Sequence, residues 1–364
     1  MESWALALLL LCAAANPACA FTLAGPGGRA PGAAFQESLN RHRYLNSLFS
    51  KENSTAFYGI NQFSYLFPEE FKAIYLRSKA SKLPRYVAGG QTTFSSESLP
   101  LRFDWRDKHI VTPVRNQQTN QTSDVGGCAD LGLGSTRKPA RLAFPPVVPT
   151  GEVGLRIRSL HVLENLRAIS KCGACWAFSV VSAVESACAM AGAPLRELSV
   201  QQVLDCAYDD RGCGGGSTLS ALNWLNKTQV KLVGESEYPF TARDGICRFF
   251  PASCPGVSIR GYLAYDFSAQ EDEMAKALVA LGPLVAVVDA VSWQDYLGGV
   301  IQHHCSSGEA NHAVLVTGFD KAGQTPYWVV RNSWGRSWGL DGYARVKMGS
   351  NICGIADSVS AVLV

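Results

Sequence analysis

Cys175 stands at the start of an apolar run, 176–191, whose residues are hydrophobic on nearly every side, as in a buried helix. A cysteine attacks a carbonyl carbon only as a thiolate, and the dipole and unpaired N–H groups at a helix N-terminus favour a negative sulfur there. The position therefore predicts a nucleophilic thiol. Cys172 lies three residues earlier, a spacing that redox and metal-binding pairs also use, but the sequence has no second such pair and no His-rich partner segment.

A thiol nucleophile needs a base nearby, and His312 is the best placed of the six histidines. It lies 137 residues after Cys175 and opens the segment HAVLVTGF, a predicted strand whose end could present the imidazole to the helix start. Asn332 ends the segment YWVVRN, which could pair with that strand. Its amide oxygen could accept the imidazole N–H and fix the tautomer and orientation of the ring, as the third member of a catalytic triad does.

Structural interpretations of the same residues stand beside this one. A lone histidine at a strand end, or an Asn-Ser-Trp-Gly corner, would by itself indicate only a structural role. His303 and His304 lie in a polar loop beside Cys305, and we expect them to be solvated. The combination with Cys175 favours chemistry at the strand ends, where Trp334 would cover the His–Asn hydrogen bond from water.

The elements that must position these residues are predicted helices in the first part of this region and predicted strands in the second. The run 176–191 predicts a buried helix, and Ser199 to Gln202 has a capping-box pattern that opens a second helix toward Cys206. The later half has short segments rich in β-branched and aromatic residues and bounded by Gly, Pro or Asp, namely 282–290, 312–320, 326–334 and 342–348. The sequence therefore predicts an α+β fold, with a helical half, an antiparallel β half and a binding site in the cleft between them.

The N-terminal region has a different composition. Residues 4–15 form an apolar run, too short to span a bilayer, before the small-residue site Ala18-Cys19-Ala20, which predicts a signal peptide over 1–20. Residues 21–98 are polar, with helix-forming stretches near 35–50 and 68–78, and end in the linker-like GGQTTFSSES. They form either a small N-terminal domain or a propeptide, and a protease downstream favours the propeptide.

Cysteines and sequons indicate the secretory pathway. Removal of Cys12 and Cys19 with the signal peptide leaves ten of the 12 cysteines in a chain bound for an oxidising compartment, where disulfides persist. Possible glycosylation sites begin at Asn53, Asn120 and Asn226. The net charge of +3 creates no strong surface field, so neither nucleic acid nor a membrane is an expected partner.

With these motifs in view, the chain resembles the papain family of cysteine proteases over roughly 35–364, apart from one insertion. Cys172-Gly-Ala-Cys-Trp176 matches the signature around the family's nucleophile. YGINQF at 58–63 resembles a propeptide motif, although Tyr65 stands where an acidic residue is usual, and LPLRFDW at 99–105 looks like the start of the mature enzyme. The resemblance implies an inhibitory helical propeptide at 21–98 and a two-domain peptidase at 99–364, with a barrel-like β half.

The resemblance implies an endopeptidase with a Cys-His-Asn acyl-enzyme mechanism that degrades proteins in lysosomes or outside the cell. Gln117 matches the glutamine that helps to bind the oxyanion. Gly215 and Gly216 resemble the backbone edge along which substrates lie, and Thr218 and Val287 would sit at the main specificity pocket, which favours apolar or mixed side chains of modest size. The resemblance also implies that Trp334 is a substrate-binding residue. Expected partners are peptide and protein substrates, the propeptide as inhibitor, and cystatin-like inhibitors, with no metal or organic cofactor.

Disulfides are implied by the same likeness. The implied pairs are Cys172 with Cys213, Cys206 with Cys247, and Cys305 with Cys353. Cys188 lies inside the apolar run and is predicted to be a buried thiol. Cys128 and Cys254 are either free or paired.

The family pattern breaks at an insertion, 119–170. Gln117 precedes Cys175 by 58 residues instead of the family's six, so 52 residues have been added (58 − 6). Closing such a loop costs roughly 3–4 kcal/mol of chain entropy, which folding could tolerate. Three hypotheses follow: an active endopeptidase with the insertion looped aside, an impaired protease-like protein that binds peptides or inhibitors, and a variant that does not fold. A fourth is that nicking at Arg137-Lys138 or Arg141 relieves an obstruction.

Overall fold

The computed structural model describes residues 32–47, 55–87, 94, 98–118, 172–248, 250, 254–303, 305 and 308–364. Several predictions fall outside these residues: the signal peptide 1–20, the insertion 119–170 with its basic sites, Cys128, His304, the sequons at Asn53 and Asn120, and nearly all of the linker before residue 98. Within the described part of the chain, no helix is both long and apolar enough to cross a bilayer.

Three helices build the helical half: α3 (Cys175–Met190), α4 (Val200–Cys206) and α5 (Thr218–Thr228). Every residue of α3 from Cys175 to Cys188 is buried, which is why its sequence shows no polar face. The Ser199 side chain caps α4 by accepting the N–H of Gln202. The predicted capping box is wrong in its second half, because the Gln202 side chain bonds Lys231 O and Val233 N instead of reaching back to Ser199.

The β half contains the strands β2 (Arg102–Asp104), β3 (Gly261–Tyr265), β4 (Leu284–Val288), β6 (Val300–Ile301), β7 (His312–Asp320), β8 (Tyr327–Arg331), β9 (Tyr343–Lys347) and β10 (Val359–Leu363). Seven of them form a sheet in the order β3-β10-β4-β7-β8-β9-β6, and β2 is its eighth strand, paired with β7. The four predicted strand segments are confirmed. The pairing is antiparallel except between β6 and β9, and the helix α6 (Glu271–Leu281), which packs against the sheet, was not predicted.

The N-terminal segment folds onto the β half. It contains α1 (Ala33–Ser47), β1 (Phe57–Tyr58) and α2 (Pro68–Tyr75), in agreement with the two helix-forming stretches. It is not wholly helical, because β1 pairs with the short strand β5 (Tyr296–Gly298). Its buried side chains, among them Phe63 and Phe71, belong to one hydrophobic core with the tryptophans of the β half. A second core joins the three helices of the helical half.

Cysteine pairing agrees with the resemblance. Disulfides join Cys172 to Cys213, Cys206 to Cys247 and Cys305 to Cys353. Cys188 is a buried thiol, as its place in the apolar run predicts, and Cys254 is also buried.

Candidate active site

Cys175 is the first residue of α3 and is completely buried. The Cys172–Cys213 disulfide fixes the turn before it, and the Gly173 N–H donates to the Cys213 carbonyl, 2.9 Å away. Burial raises the pKa of the Cys175 thiol, while backbone N–H groups of Ala313, Arg77, Trp176 and Cys175 itself oppose the rise. The helix N-terminus therefore favours the thiolate, as predicted from the sequence, but burial has the larger effect in this form of the protein.

His312 is the first residue of β7, and its Nε2 atom lies 2.7 Å from Oδ1 of Asn332, at the end of β8. The Ser333 backbone N–H also donates to this Oδ1, at 2.8 Å, which fixes the orientation of the amide. Because Oδ1 can only accept, Nε2 must carry the hydrogen, and Nδ1 of a neutral ring then holds the free lone pair. Nδ1 makes no hydrogen bond of ordinary geometry with the described residues, although the Tyr75 backbone of the N-terminal segment lies close to the ring.

The imidazole is buried, and one face of its ring is covered by a tryptophan. Trp334 is fully buried and its ring lies 4.6 Å from that of His312. Burial lowers the pKa of His312 to about 4, although the hydrogen bond to Asn332 and the backbone of Tyr75 both oppose this shift. Both the thiol and the imidazole are thus held neutral across the mildly acidic and neutral range.

Gln117 lies beside the turn that carries the thiol, although 52 additional residues separate it from this turn along the chain. Its Nε2 donates to the Cys172 carbonyl at 3.1 Å, and the Ser333 hydroxyl donates to its Oε1 at 2.7 Å. Its backbone N–H bonds the Ser333 carbonyl at 2.9 Å. The glutamine is therefore positioned by the corner that follows Asn332.

The neighbouring Gln118 is hydrogen-bonded to Cys172, the first described residue after the insertion. Its side chain donates to the Cys172 carbonyl at 2.9 Å and accepts the Cys172 N–H at 3.3 Å. The chain thus leaves at Gln118 and returns at Cys172 beside the point of departure. Sequence analysis missed this role and that of Ser333, and the only available signal was the position of each residue next to a motif residue.

The cleft between the halves is occupied by the N-terminal segment. The Ser78 N–H donates to the Asn311 carbonyl of the β half, at 2.9 Å. On the helical side, Gly216 accepts the Lys79 N–H at 2.9 Å and donates to the Arg77 carbonyl at 3.2 Å, a parallel bridge. Gly215 has φ +108°, and a side chain there would collide with the Arg77 carbonyl, so glycine is required for this close approach.

Two further predicted residues flank this arrangement. Thr218 begins α5 directly after the glycine edge and is buried. Val287 is buried in β4, where it pairs with Ala313 beside His312. The described residues contain no group of three or more His, Cys, Asp or Glu side chains placed to hold a metal ion.

Comparisons with known proteins agree with this geometry. The family model "Papain family cysteine protease" matches residues 152–363. Cathepsin O from Homo sapiens is 64% identical over 332 residues, which cover 91% of this chain and 87% of that protein. Cathepsin O from Mus musculus is 58% identical over 332 residues, with 91% and 89% covered.

Solved structures of precursors have the same fold. A digestive procathepsin L2 proteinase from Tenebrio molitor larval midgut has a TM-score of 0.70 at 26% identity, with 92% of each chain covered. A recombinant stem bromelain precursor has a TM-score of 0.65 at 28% identity, with 91% of this chain and 90% of the other covered. The predicted papain-like α+β fold is therefore confirmed.

Proposed function

The chain belongs to the papain family of cysteine proteases, and we propose that it hydrolyses internal peptide bonds with Cys175 as nucleophile and His312 as base. The single observation that carries the proposal is the 2.7 Å contact between His312 and Asn332, which leaves the lone pair of a neutral ring on Nδ1. The thiol meets the backbone N–H of Ala313, the residue after His312, so the base stands next to the nucleophile.

The reaction is acyl transfer. Nδ1 of His312 takes the thiol proton, and Sγ of Cys175 attacks the carbonyl carbon of the scissile bond. His312 then gives its proton to the leaving amine as the C–N bond breaks, which leaves a thioester on Cys175. Water, deprotonated by the same imidazole, attacks the thioester and releases the acid and the thiol. Asn332 keeps the ring in the required tautomer throughout.

The oxyanion would be held by Gln117 Nε2 and the backbone N–H of Cys175. The placement of Gln117 beside Cys172, through Ser333 and the Cys172 carbonyl, supports this role. Gly215 and Gly216 would bind a substrate as an added strand, since their backbone already pairs with a peptide segment. Thr218 and Val287 would line the main specificity pocket.

The described N-terminal segment would act as an inhibitor until it is removed. Its residues Arg77 to Lys79 fill the cleft from Asn311 to Gly216, so no substrate can pair with the glycine edge while they remain. We propose a propeptide over 21–98 and a mature peptidase over 99–364, after a signal peptide over 1–20. Three disulfides and an exposed sequon at Asn226 support passage through the secretory pathway, with the lysosome as destination.

The test is cleavage of an unfolded protein substrate by the acid-matured chain, with mass spectrometry to locate the new termini. We expect cuts within the substrate chain, and we expect Cys175→Ala to abolish them. Cys188→Ala is the matched control, because Cys188 is another buried thiol of the same helix, and it should retain activity. A folded, matured protein that binds peptides without cutting them would show instead that the insertion impairs the site.

A further inference from the structure

A small cavity of about 20 Å³ lies between the helical and β halves, beside the buried Asn332. Its lining includes Arg115, Ser179 and Ser182 from the helical side and Arg331, Asn332 and Ser333 from the β side. A single water needs roughly 10–15 Å³ measured in this way, so the cavity is large enough for one small, nearly spherical occupant.

Arg331 is a buried cation without a carboxylate partner. It is only 4% exposed, and among the described residues no carboxylate oxygen lies within ion-pair distance of its guanidinium. Its Nη2 donates to the Pro113 carbonyl, whereas Nε and Nη1 have no hydrogen-bond partner. An unpaired charge removed from water is costly, so an uncompensated Arg331 would destabilise the fold.

Arg115, the other cation of the cavity, is already paired. Its Nη2 lies 2.7 Å from Glu185 Oε1, and its Nη1 lies 3.7 Å from Glu235 Oε2. Glu185 also accepts the Thr112 hydroxyl and the Leu198 N–H, so three of its roughly four lone-pair sites are occupied. Among the described residues, Glu185 forms its ion pair with Arg115 and not with Arg331.

The unpartnered polar atoms of the lining residues are all N–H donors. They are Arg115 Nε, Arg331 Nε and Nη1, and Asn332 Nδ2. The hydroxyls of Ser179 and Ser333 donate elsewhere, to the Trp176 carbonyl and to Gln117 Oε1. A water molecule accepts only about two hydrogen bonds, whereas a monatomic anion can accept one from each of these donors.

We propose that this cavity binds a monovalent anion of the size of chloride, held by Arg331 and Asn332 between the two halves. The charges of the cluster support the assignment. Burial raises the pKa of Glu235 to about 7, so in an acidic compartment this carboxyl is largely neutral and Arg115 keeps Glu185 as its charged partner. A bound anion would supply the counter-charge that Arg331 lacks within ion-pair distance.

The proposed ion would also link the helical and β halves next to the candidate active site. It would contact the Nδ2 atom of Asn332, whose Oδ1 orients His312, and so would hold the amide from its far side. The evidence for this ion site, a donor-lined cavity and a buried cation, does not depend on the proposed peptide hydrolysis.

The direct test is a crystal structure of the full-length precursor grown in bromide, with anomalous diffraction to locate the halide. We expect a buried peak in contact with Arg331 and Asn332. The exposed Arg336 serves as internal control, since any peak there marks weak surface binding. An ordered water or empty density between Arg331 and Asn332 in bromide-containing crystals would overturn the proposal.

A solution test uses thermal unfolding at constant ionic strength, with chloride replaced by gluconate, which is too large for the cavity. We expect chloride to raise the unfolding temperature by about 3–5 °C, as a ligand bound well above its dissociation constant does. Arg331→Gln should lose this dependence, and Arg336→Gln should keep it. Equal chloride dependence in Arg331→Gln and the unaltered protein would also overturn the proposal.

Discussion

The two walls of the cleft are covered by the N-terminal segment in different ways. On the β wall, Phe63 and Phe71 pack edge-on against Trp334, with ring centroids 5.5 and 5.2 Å away. On the helical wall, the segment meets mainly backbone, through the Gly216 hydrogen bonds. The N-terminal segment therefore shares a hydrophobic core with Trp334 on the β wall and contacts the helical wall mainly through its main chain.

The proposed base and nucleophile differ in the same way, since one is positioned by side chains and the other mainly by backbone. His312 depends on side chains, because Asn332 and Trp334 orient and shield its ring. Cys175 depends on the helix start and the Cys172–Cys213 disulfide, with Gln117 as the one side chain that must be brought in from outside. On the helical wall, Gln118 and Cys172, which lie on either side of the insertion in the sequence, are hydrogen-bonded to each other.

The largest effect should come from removing the base on the β wall. We expect His312→Ala to lower kcat/KM by about 10⁴-fold, since both proton transfers lose their carrier. Steady-state hydrolysis of a fluorogenic peptide measures the change. His303→Ala is the control and should stay within about twofold, and an equal loss in both variants would show that histidine replacement acts through folding.

A smaller loss of activity should follow from removing the oxyanion donor on the helical wall. Gln117→Ala should lower kcat by about 10²–10³-fold with little change in KM, because an oxyanion donor acts mainly in the transition state. Gln118→Ala is the matched neighbour, and it should cost less, since Gln118 bonds Cys172 and does not face the oxyanion. If Gln118→Ala were the more damaging change, the insertion ends and not the oxyanion donor would be the weak point of this wall.

Propeptide affinity should depend on a buried anchor of the β wall. Asp295 is 1% exposed, and its Oδ2 lies 2.5 Å from Arg41 Nε, while its Oδ1 accepts the Ser38 hydroxyl at 3.2 Å. Loss of the charge leaves Arg41 without its partner, so Asp295→Asn should weaken inhibition by added propeptide by about 10-fold or more. The inhibition constant against mature enzyme measures this effect.

The control for the anchor is Asp272→Asn. Asp272 is exposed and pairs with Lys321 on the surface, where such pairs contribute little, so propeptide inhibition should be unchanged. Equal inhibition constants for Asp295→Asn and Asp272→Asn would mean that the aromatic core alone retains the segment.

The sequence predicts the elements well where local pattern decides them. The all-apolar run predicts α3, and short β-branched and aromatic segments predict β7 and β8, whereas the three disulfides are implied by the family resemblance. The capping box at Ser199 is half wrong because Gln202 finds long-range backbone partners, which no local pattern reveals.

Contacts between distant segments escaped prediction for the same reason. Arg41 and Asp295 are 254 residues apart, and neither stands in a motif. The pairing of β1 with β5 joins strands of two and three residues, too short to produce an alternating pattern. The hydrogen bond between Gln118 and Cys172 joins residues 54 positions apart, so it depends on tertiary structure and not on a local pattern.

The central claim is that the site is assembled despite the insertion and is inactive only while the N-terminal segment covers it. With the segment in place, burial raises the pKa of the thiol and lowers the pKa of the imidazole to about 4, so both groups favour the neutral form at pH 5. We expect removal of the segment to admit water, which would lower the thiol pKa and raise that of the imidazole.

The most direct measurement is labelling at pH 5 with a peptide epoxide that traps thiolates, followed by mass spectrometry to locate the adduct. We predict a single adduct on Cys175 of the matured protein, with slow labelling of the precursor and none in Cys175→Ala. Fast labelling of the covered precursor, or no adduct on a folded, matured protein, would contradict the account.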